Sequence, residues 1–251
     1  AERLAGTIAA APQSGALCGP AFHPTVVEWA KSVQRGEERG GAMLEVRKAR
    51  VDELDAVFEF YGQMADQMEG TDFDVQWRRG GHPSAALLRE SVEAGQMIIG
   101  VLTGDAEGEG VEADACASGA GGAMDARAEG GKGAAGSHPV IASAMVVNHE
   151  GSPGYEAVPW AVNAAPECVG VLHVVATLPA YHGRGFARQL LTRGIEISRA
   201  DGLAVLRLDT FPRNKRARSL YESCGFEDRG DWTVYYPALG DIQVSMYERA
   251  L

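Results

Sequence analysis

No apolar run in this sequence approaches the ~20 residues that a membrane-spanning helix needs; the longest, such as Val140 to Val147, have the length of strands. Cysteine is scarce. Cys18, Cys116, Cys168 and Cys224 form no CxxC pair and fall short of a disulfide scaffold, so they read as reduced thiols of a cytoplasmic protein. A surplus of positive charge is also absent: 23 Lys+Arg against 34 Asp+Glu give a net charge of −11. That argues against nucleic acid as a partner, because neutralising phosphates needs a basic surface. The 6 His and 4 Cys show no HxH or HExxH spacing, so no metal is expected. What is present, 45% hydrophobic residues in 251, suffices for a packed core and for one domain with extras or two small ones.

The charge is unevenly spread. Segment 105–138 holds seven acids and two bases, whereas 182–221 holds nine bases and three acids. A cationic stretch inside an acidic chain points to an anionic ligand held at one place. Residues 1–42 are rich in Ala and Gly, with one short amphipathic stretch from Pro24 to Arg35 and no pattern of a signal peptide. They are read as a loosely ordered extension, with Met43 opening the folded unit. Segment 105–138, almost all Gly, Ala and acids, has too little apolar surface to offset ordering entropy and is read as a disordered insertion in a hairpin turn.

Periodicity supplies the elements. Leu44 to Ala49 alternates as a strand, and Asp52 is placed to cap a helix carrying Leu54, Val57, Phe58, Tyr61 and Met64. A second helix is expected over Pro83 to Ala94, with strands over Met97 to Leu102 and Val140 to Val147. Cys168 to Thr177 and Leu203 to Leu208 read as strands, and Gly185 to Arg199 and Asn214 to Cys224 as helices. The last strands fall within Phe226 to Glu248. This order implies a mixed sheet with helices on both faces.

One turn carries chemistry. In His182-Gly183-Arg184-Gly185-Phe186-Ala187-Arg188, glycines between a strand and a helix let the backbone approach an anion, and helix N-terminal amides face it. A P-loop is excluded because no Lys-Ser/Thr pair follows the glycines. A dinucleotide-binding fingerprint is closer, with Asp209 at the end of the next strand, but Arg188 replaces the third, packing glycine. A third reading fits better. The segment matches the acyl-CoA signature Gln/Arg-x-x-Gly-x-Gly/Ala with His182 in the first position. Asn214, Ala217, Leu220-Tyr221 and Gly225-Phe226 follow at the spacing of a second block. In these two blocks the sequence resembles the GCN5-related N-acetyltransferase (GNAT) superfamily, over about 44–251 less the insertion.

The resemblance implies an α+β fold, an α/β/α sandwich whose mixed, mostly antiparallel central sheet carries helices on both faces. It implies an acetyl-CoA-dependent N-acetyltransferase acting on a primary amine by direct attack in a ternary complex. A non-catalytic acyl-CoA-binding module and an NAD(P)-binding oxidoreductase are the alternatives. The pyrophosphate of acetyl-CoA is expected on the backbone of His182, Gly183, Arg184, Gly185, Phe186, Ala187 and Arg188. Val175, Ala176 and Thr177 face the thioester and pantetheine arm, and Asn214 lies near the pantetheine or phosphates. Arg184, Arg213, Lys215 and Arg216 are candidates for an outer phosphate. Tyr221 is expected to protonate the leaving thiolate, and His173, titratable in an otherwise apolar strand, to take the amine proton. Asp209, Trp160 and Glu167 are candidates for the acceptor side, where Tyr155 and Glu156 also lie. The acceptor is expected to be a small-molecule or peptide amine, with neither nucleic acid nor membrane as partner. A homodimer is compatible with the sequence.

Overall fold

A computed structural model of the chain describes residues 43–71, 74–103, 139–236 and 240–251. The expected extension at 1–42 and insertion at 105–138 lie outside the described residues. Seven strands form one sheet: β1 (Met43–Lys48), β2 (Met97–Thr103), β3 (Ile141–Asn148), β4 (Val169–Thr177), β5 (Val205–Thr210), β6 (Glu227–Tyr236) and β7 (Gly240–Ala250). Their order is β1-β2-β3-β4-β5-β7-β6. All neighbours run antiparallel except β4 and β5, so the sheet is mixed and mostly antiparallel, as expected.

Helices α1 (Leu54–Met68) and α2 (Ala85–Glu93) cover one face of the first strands through Val57, Tyr61, Met64 and Leu88, packed on Met97, Ile99 and Val146. On the other face, α3 (Phe186–Ala200) and α4 (Lys215–Ser223) bury Leu190, Leu191, Ile195 and Tyr221 against Ile98, Met145, Leu172 and Leu208. Each such aliphatic side chain contributes ~1.5–3 kcal/mol on burial. Alternation along the strands explains the two layers: Ile98 and Met145 serve one core, while their neighbours Met97 and Val146 serve the other. A third core lies where the helices of the first face do not reach. There Tyr155, Val158 and Trp160 pack on Val169, Val171, Val205 and Val234.

Local signals account for most boundaries. Ser84 Oγ accepts from Leu87 N at 3.1 Å and caps α2, which starts two residues later than the expected Pro83. Asn214 Oδ1 accepts from Ala217 N at 3.2 Å and caps α4. The expected cap of α1 is corrected. Asp52 pairs instead with Arg50 at 3.1 Å, within a 3-10 turn over Val51–Glu53. The anchoring acid is Glu53, 1% exposed, which accepts two bonds from Arg47 at 2.8 and 2.6 Å and one from Arg50 N at 2.8 Å. The Arg47 hydrogen bonds hold the Glu53 carboxyl below its ordinary range despite burial.

Strand β4 departs from regular pairing on both sides. Its parallel ladder with β5 contains the pairs Val169–Val205, Gly170–Leu206 and Val171–Arg207 and goes no further. On the β3 side the register shifts between Ala144 and Val146, and Val174 takes φ +46°, a left-handed conformation that a β-branched residue rarely adopts. Tyr61 Oη, deep in the core, donates to the Val174 carbonyl at 3.0 Å and so fixes this bulge.

Candidate functional site

Because β4 and β5 run parallel, α3 and α4, which come after them in the chain, start at the same end of the sheet. Between β4 and α3 the chain turns through Gly183 and Gly185, both at φ +78°, a conformation that strains any residue with a Cβ. Among the described residues, chain neighbours aside, nothing lies within 4 Å of where a side chain at either position would begin. The turn is thus open outward. His182 Nε2 lies 2.9 Å from the Thr177 carbonyl and fastens the end of β4 to the turn. Its difference from the motif's Gln or Arg therefore has a structural use. Phe186 is buried beside Tyr181 and offers the site only its backbone; Ala187 and Arg188 complete the first turn of α3, where amides lack helical acceptors. The hydroxyl of Thr177, the last residue of β4, is buried without a hydrogen-bond partner among the described residues.

Eight of the nine bases of the cationic stretch separate into two groups; the ninth, Arg199, lies in the last turn of α3. Arg193, Arg207 and Arg218 are tied to Glu196, Glu248 and Asp228. Arg184, Arg188, Arg213, Lys215 and Arg216 form no ion pair among the described residues and flank the starts of α3 and α4. Arg184 lies over the Tyr181 ring, Arg213 over the Phe211 ring, and Arg188 reaches the Ser223 carbonyl. Positive charge is concentrated at the same end as the open turn, which suits an anion with more than one phosphate.

Beside it, where the β4–β5 ladder stops, Asp209 on β5 lies within electrostatic reach of both His173 on β4 and Tyr221 on α4. His173 Nε2 is 2.9 Å from both Asn148 Oδ1 and the Glu150 carbonyl. Asn148 Oδ1 also accepts from Glu150 N at 2.9 Å, which fixes it as the oxygen. Both partners of Nε2 are therefore acceptors, so Nε2 carries the hydrogen and Nδ1 carries the lone pair. Burial pushes the His173 pKa down, opposed by the Asp209 charge and the Glu150 contact, so the ring is neutral at neutral pH. Tyr221, 6% exposed, packs against Phe226 and Tyr247; burial, then the Asp209 charge, push its phenol pKa up and keep it protonated.

Asp209 is held by groups from two other stretches, the loop before β4 and strand β6. Tyr155 Oη donates to Oδ2 at 2.7 Å, and Tyr236 Oη lies 3.0 and 3.1 Å from the two oxygens. Ser152 Oγ donates in turn to Tyr236 Oη at 2.8 Å. Burial, then Asp209, raise the pKa of both phenols, so both remain donors. Trp160 stands behind Tyr155, donating to its carbonyl at 2.8 Å and stacking under Arg207 at 4.4 Å. The loop is pinned from below by buried Glu248, which accepts from Ala161 N and Val162 N and pairs with Arg207 and Arg229. Trp160 thus supports the wall of the site. Glu167 lies apart from this group, at the opposite end of β4 on the rim of a cavity of about 200 Å³ with Lys48, His149 and Asp201. Sequence reasoning missed Tyr236, Ser152, Asn148 and Tyr61. Each sits in a different stretch, and none carries a local motif.

Residues 139–226 match the model of the acetyltransferase (GNAT) family. The fold is shared with solved structures. An acetyltransferase of the GNAT family from Streptococcus agalactiae superposes with a TM-score of 0.54 at 16% identity, covering 83% of this chain and 95% of that one. An N-acetyltransferase from Staphylococcus aureus gives 0.50 at 15% identity, over 82% and 98%. The NatC complex bound to Gag peptide and CoA gives 0.50 at 15% identity, over 83% and 99%. An uncharacterized protein of Mycobacterium leprae is 39% identical over 69 residues, which are 28% of this chain and only 18% of that protein. Among the described residues no helix is long and apolar enough to cross a membrane, and no group of three metal-ligating side chains converges.

Proposed function

We propose that this chain, which has the GNAT fold and the family's sequence pattern over residues 139–226, transfers an acetyl group from acetyl-CoA to a primary amine. The observation that carries the reading is the meeting of three features at one end of the sheet. These are the outward-open turn at Gly183 and Gly185, the end of the β4–β5 ladder, and the triad of His173, Asp209 and Tyr221 beside it. The turn amides from Gly183 to Arg188 hold the pyrophosphate, and Arg184, Arg213, Lys215 and Arg216 serve the outer phosphate. Val175, Ala176 and Thr177 at the end of β4 serve the thioester and pantetheine arm, and Asn214, the cap of α4, the pantetheine or phosphate region.

Two protons leave the acceptor nitrogen by different routes. His173 Nδ1 takes one proton from the acceptor ammonium and later gives it to water. The amine lone pair attacks the thioester carbon, forming the C–N bond. On collapse the C–S bond breaks, Tyr221 Oη protonates the departing sulfur, and the resulting phenolate takes the remaining excess proton from nitrogen. Since the His173 pKa is lowered, the neutral base is present at neutral pH, and the rate rises with pH only through a limb below the ordinary histidine range. Among the described residues no cysteine joins this group: Cys224 comes three residues after Tyr221, and burial raises its pKa, which favours direct transfer over a covalent acyl-enzyme. The acetyl-CoA chemistry suits a cytoplasmic enzyme, and the acceptor is a small-molecule or peptide amine.

The test is release of free thiol from acetyl-CoA across a panel of amines, read beside the thermal shift given by CoA and by NAD. Amine-dependent thiol release supports the reading. A shift with CoA and no thiol release would mean a binding module, and a shift with NAD alone an oxidoreductase.

A further inference from the structure

Three acids among the described residues, the buried Glu53 and Glu248 and the half-buried Asp209, are compensated in different ways. Glu53 is met by Arg47 and Arg50, and Glu248 by Arg207 and Arg229. Asp209 is met by neither an arginine nor a lysine among the described residues. Its two oxygens accept only from the neutral hydroxyls of Tyr155 and Tyr236. Arg207, two residues earlier on the same face of β5, is occupied by Glu248 and by the Trp160 ring. A half-buried carboxylate that is held by hydrogen bonds from neutral groups keeps its charge available to a cationic ligand.

Resting on the acetyltransferase reading, we infer that Asp209 is the docking group for the acceptor and that it selects primary alkylammonium ions over uncharged amines. Three further observations fit. His173, the closest titratable neighbour on β4, is neutral and presents a lone pair, so the positive charge at Asp209 has to come from the ligand. The carboxylate is framed by the phenols of Tyr155 and Tyr236, with Trp160 behind Tyr155, and aromatic walls suit an alkyl chain ending in a cation. The chain's net charge of −11 draws cations toward it. Asp209 also stays useful during the reaction. When the proton moves from nitrogen to His173 Nδ1, the positive charge moves to an imidazolium on which the same carboxylate acts.

The experiment compares n-butylamine, an ammonium at neutral pH, with aniline, uncharged there, as acceptors for the wild type and for Asp209→Asn. The measurements are KM and kcat for acceptor and for acetyl-CoA. The charged acceptor should be preferred by the wild type. In Asp209→Asn its KM should rise about tenfold or more, the usual worth of a charge-assisted hydrogen bond, while the KM for acetyl-CoA stays put. Should Asp209→Asn fail to fold, the wild type answers the same question. Inhibition by n-butyltrimethylammonium, which cannot be acetylated, should be competitive with the acceptor, and its uncharged carbon isostere should inhibit far less. Equal preference for the two acceptors, or equal inhibition by the cation and its isostere, overturns the inference alone. Thiol release with no amine at all overturns the acetyltransferase reading, and the inference with it.

Discussion

The Gly183–Arg188 turn and the surroundings of Asp209 stand side by side at one end of the sheet, yet they are built by opposite means. The turn is contiguous. Its two positive-φ glycines and the first amides of α3 come from six consecutive residues, and its recognition elements are backbone groups. The Asp209 cluster takes Ser152 and Tyr155 from the loop before β4, His173 from β4, Asp209 from β5 and Tyr236 from β6, and works through side chains. A phosphate common to many reactions can be held by backbone that any suitable turn supplies. An acceptor peculiar to one protein has to be met by side chains, and these are free to vary element by element.

Tyr221, on α4 within electrostatic reach of Asp209, gives the largest expected effect on substitution. Tyr221→Phe should lower kcat about a hundredfold or more, in the range typical of a lost general acid, with the KM for acetyl-CoA nearly unchanged. Steady-state kinetics with both substrates varied would check it, and an unchanged kcat at all pH values removes Tyr221 from proton transfer. Next in size is a test of backbone recognition. Gly185→Val forces a β-branched residue to φ +78° at a strain of roughly 1–2 kcal/mol, and should raise the KM for acetyl-CoA about tenfold. Arg184→Ala, which removes an exposed charge and its contact with the Tyr181 ring but leaves the backbone turn intact, should change it by no more than about threefold. Equal effects would erase the contrast between the regions.

The smallest effect concerns the bulge that separates the two regions. Tyr61→Phe leaves the Val174 carbonyl without its buried donor, which should lower stability by ~1–3 kcal/mol. Denaturant unfolding at constant m-value measures this. A wild-type midpoint would mean that the left-handed Val174 is held by the β3 ladder alone.

Much of this arrangement was legible along the chain. The strand of alternating residues near Leu44, the helix through Val57, Tyr61 and Met64, and the helix that opens at Asn214 follow from periodicity and local hydrogen bonding. Asp52 misled because an acid two residues before an apolar stripe has the pattern of a cap. The chain instead used Glu53, whose carboxylate finds Arg47 across a turn that no local rule anticipates. Likewise, the cationic stretch was visible as a sum, but its division was not. Arg207 and Arg218 are neutralised by Glu248 and Asp228, distant in sequence, while the bases at the starts of α3 and α4 have no such partners among the described residues.

By itself, then, the sequence determined the elements, the glycine turn and the identity of its flanking charges, because backbone conformation and helix N-termini depend on neighbours in the chain. Tertiary structure alone decided which nitrogen of His173 bears the proton, why Val174 tolerates φ +46°, and that Asp209 meets two phenols and no cation among the described residues. The physical reason is common to all three. Each depends on a hydrogen bond or a charge contributed from another strand or loop, and sheet order, which brings β5 beside β4 and β7, sets those encounters.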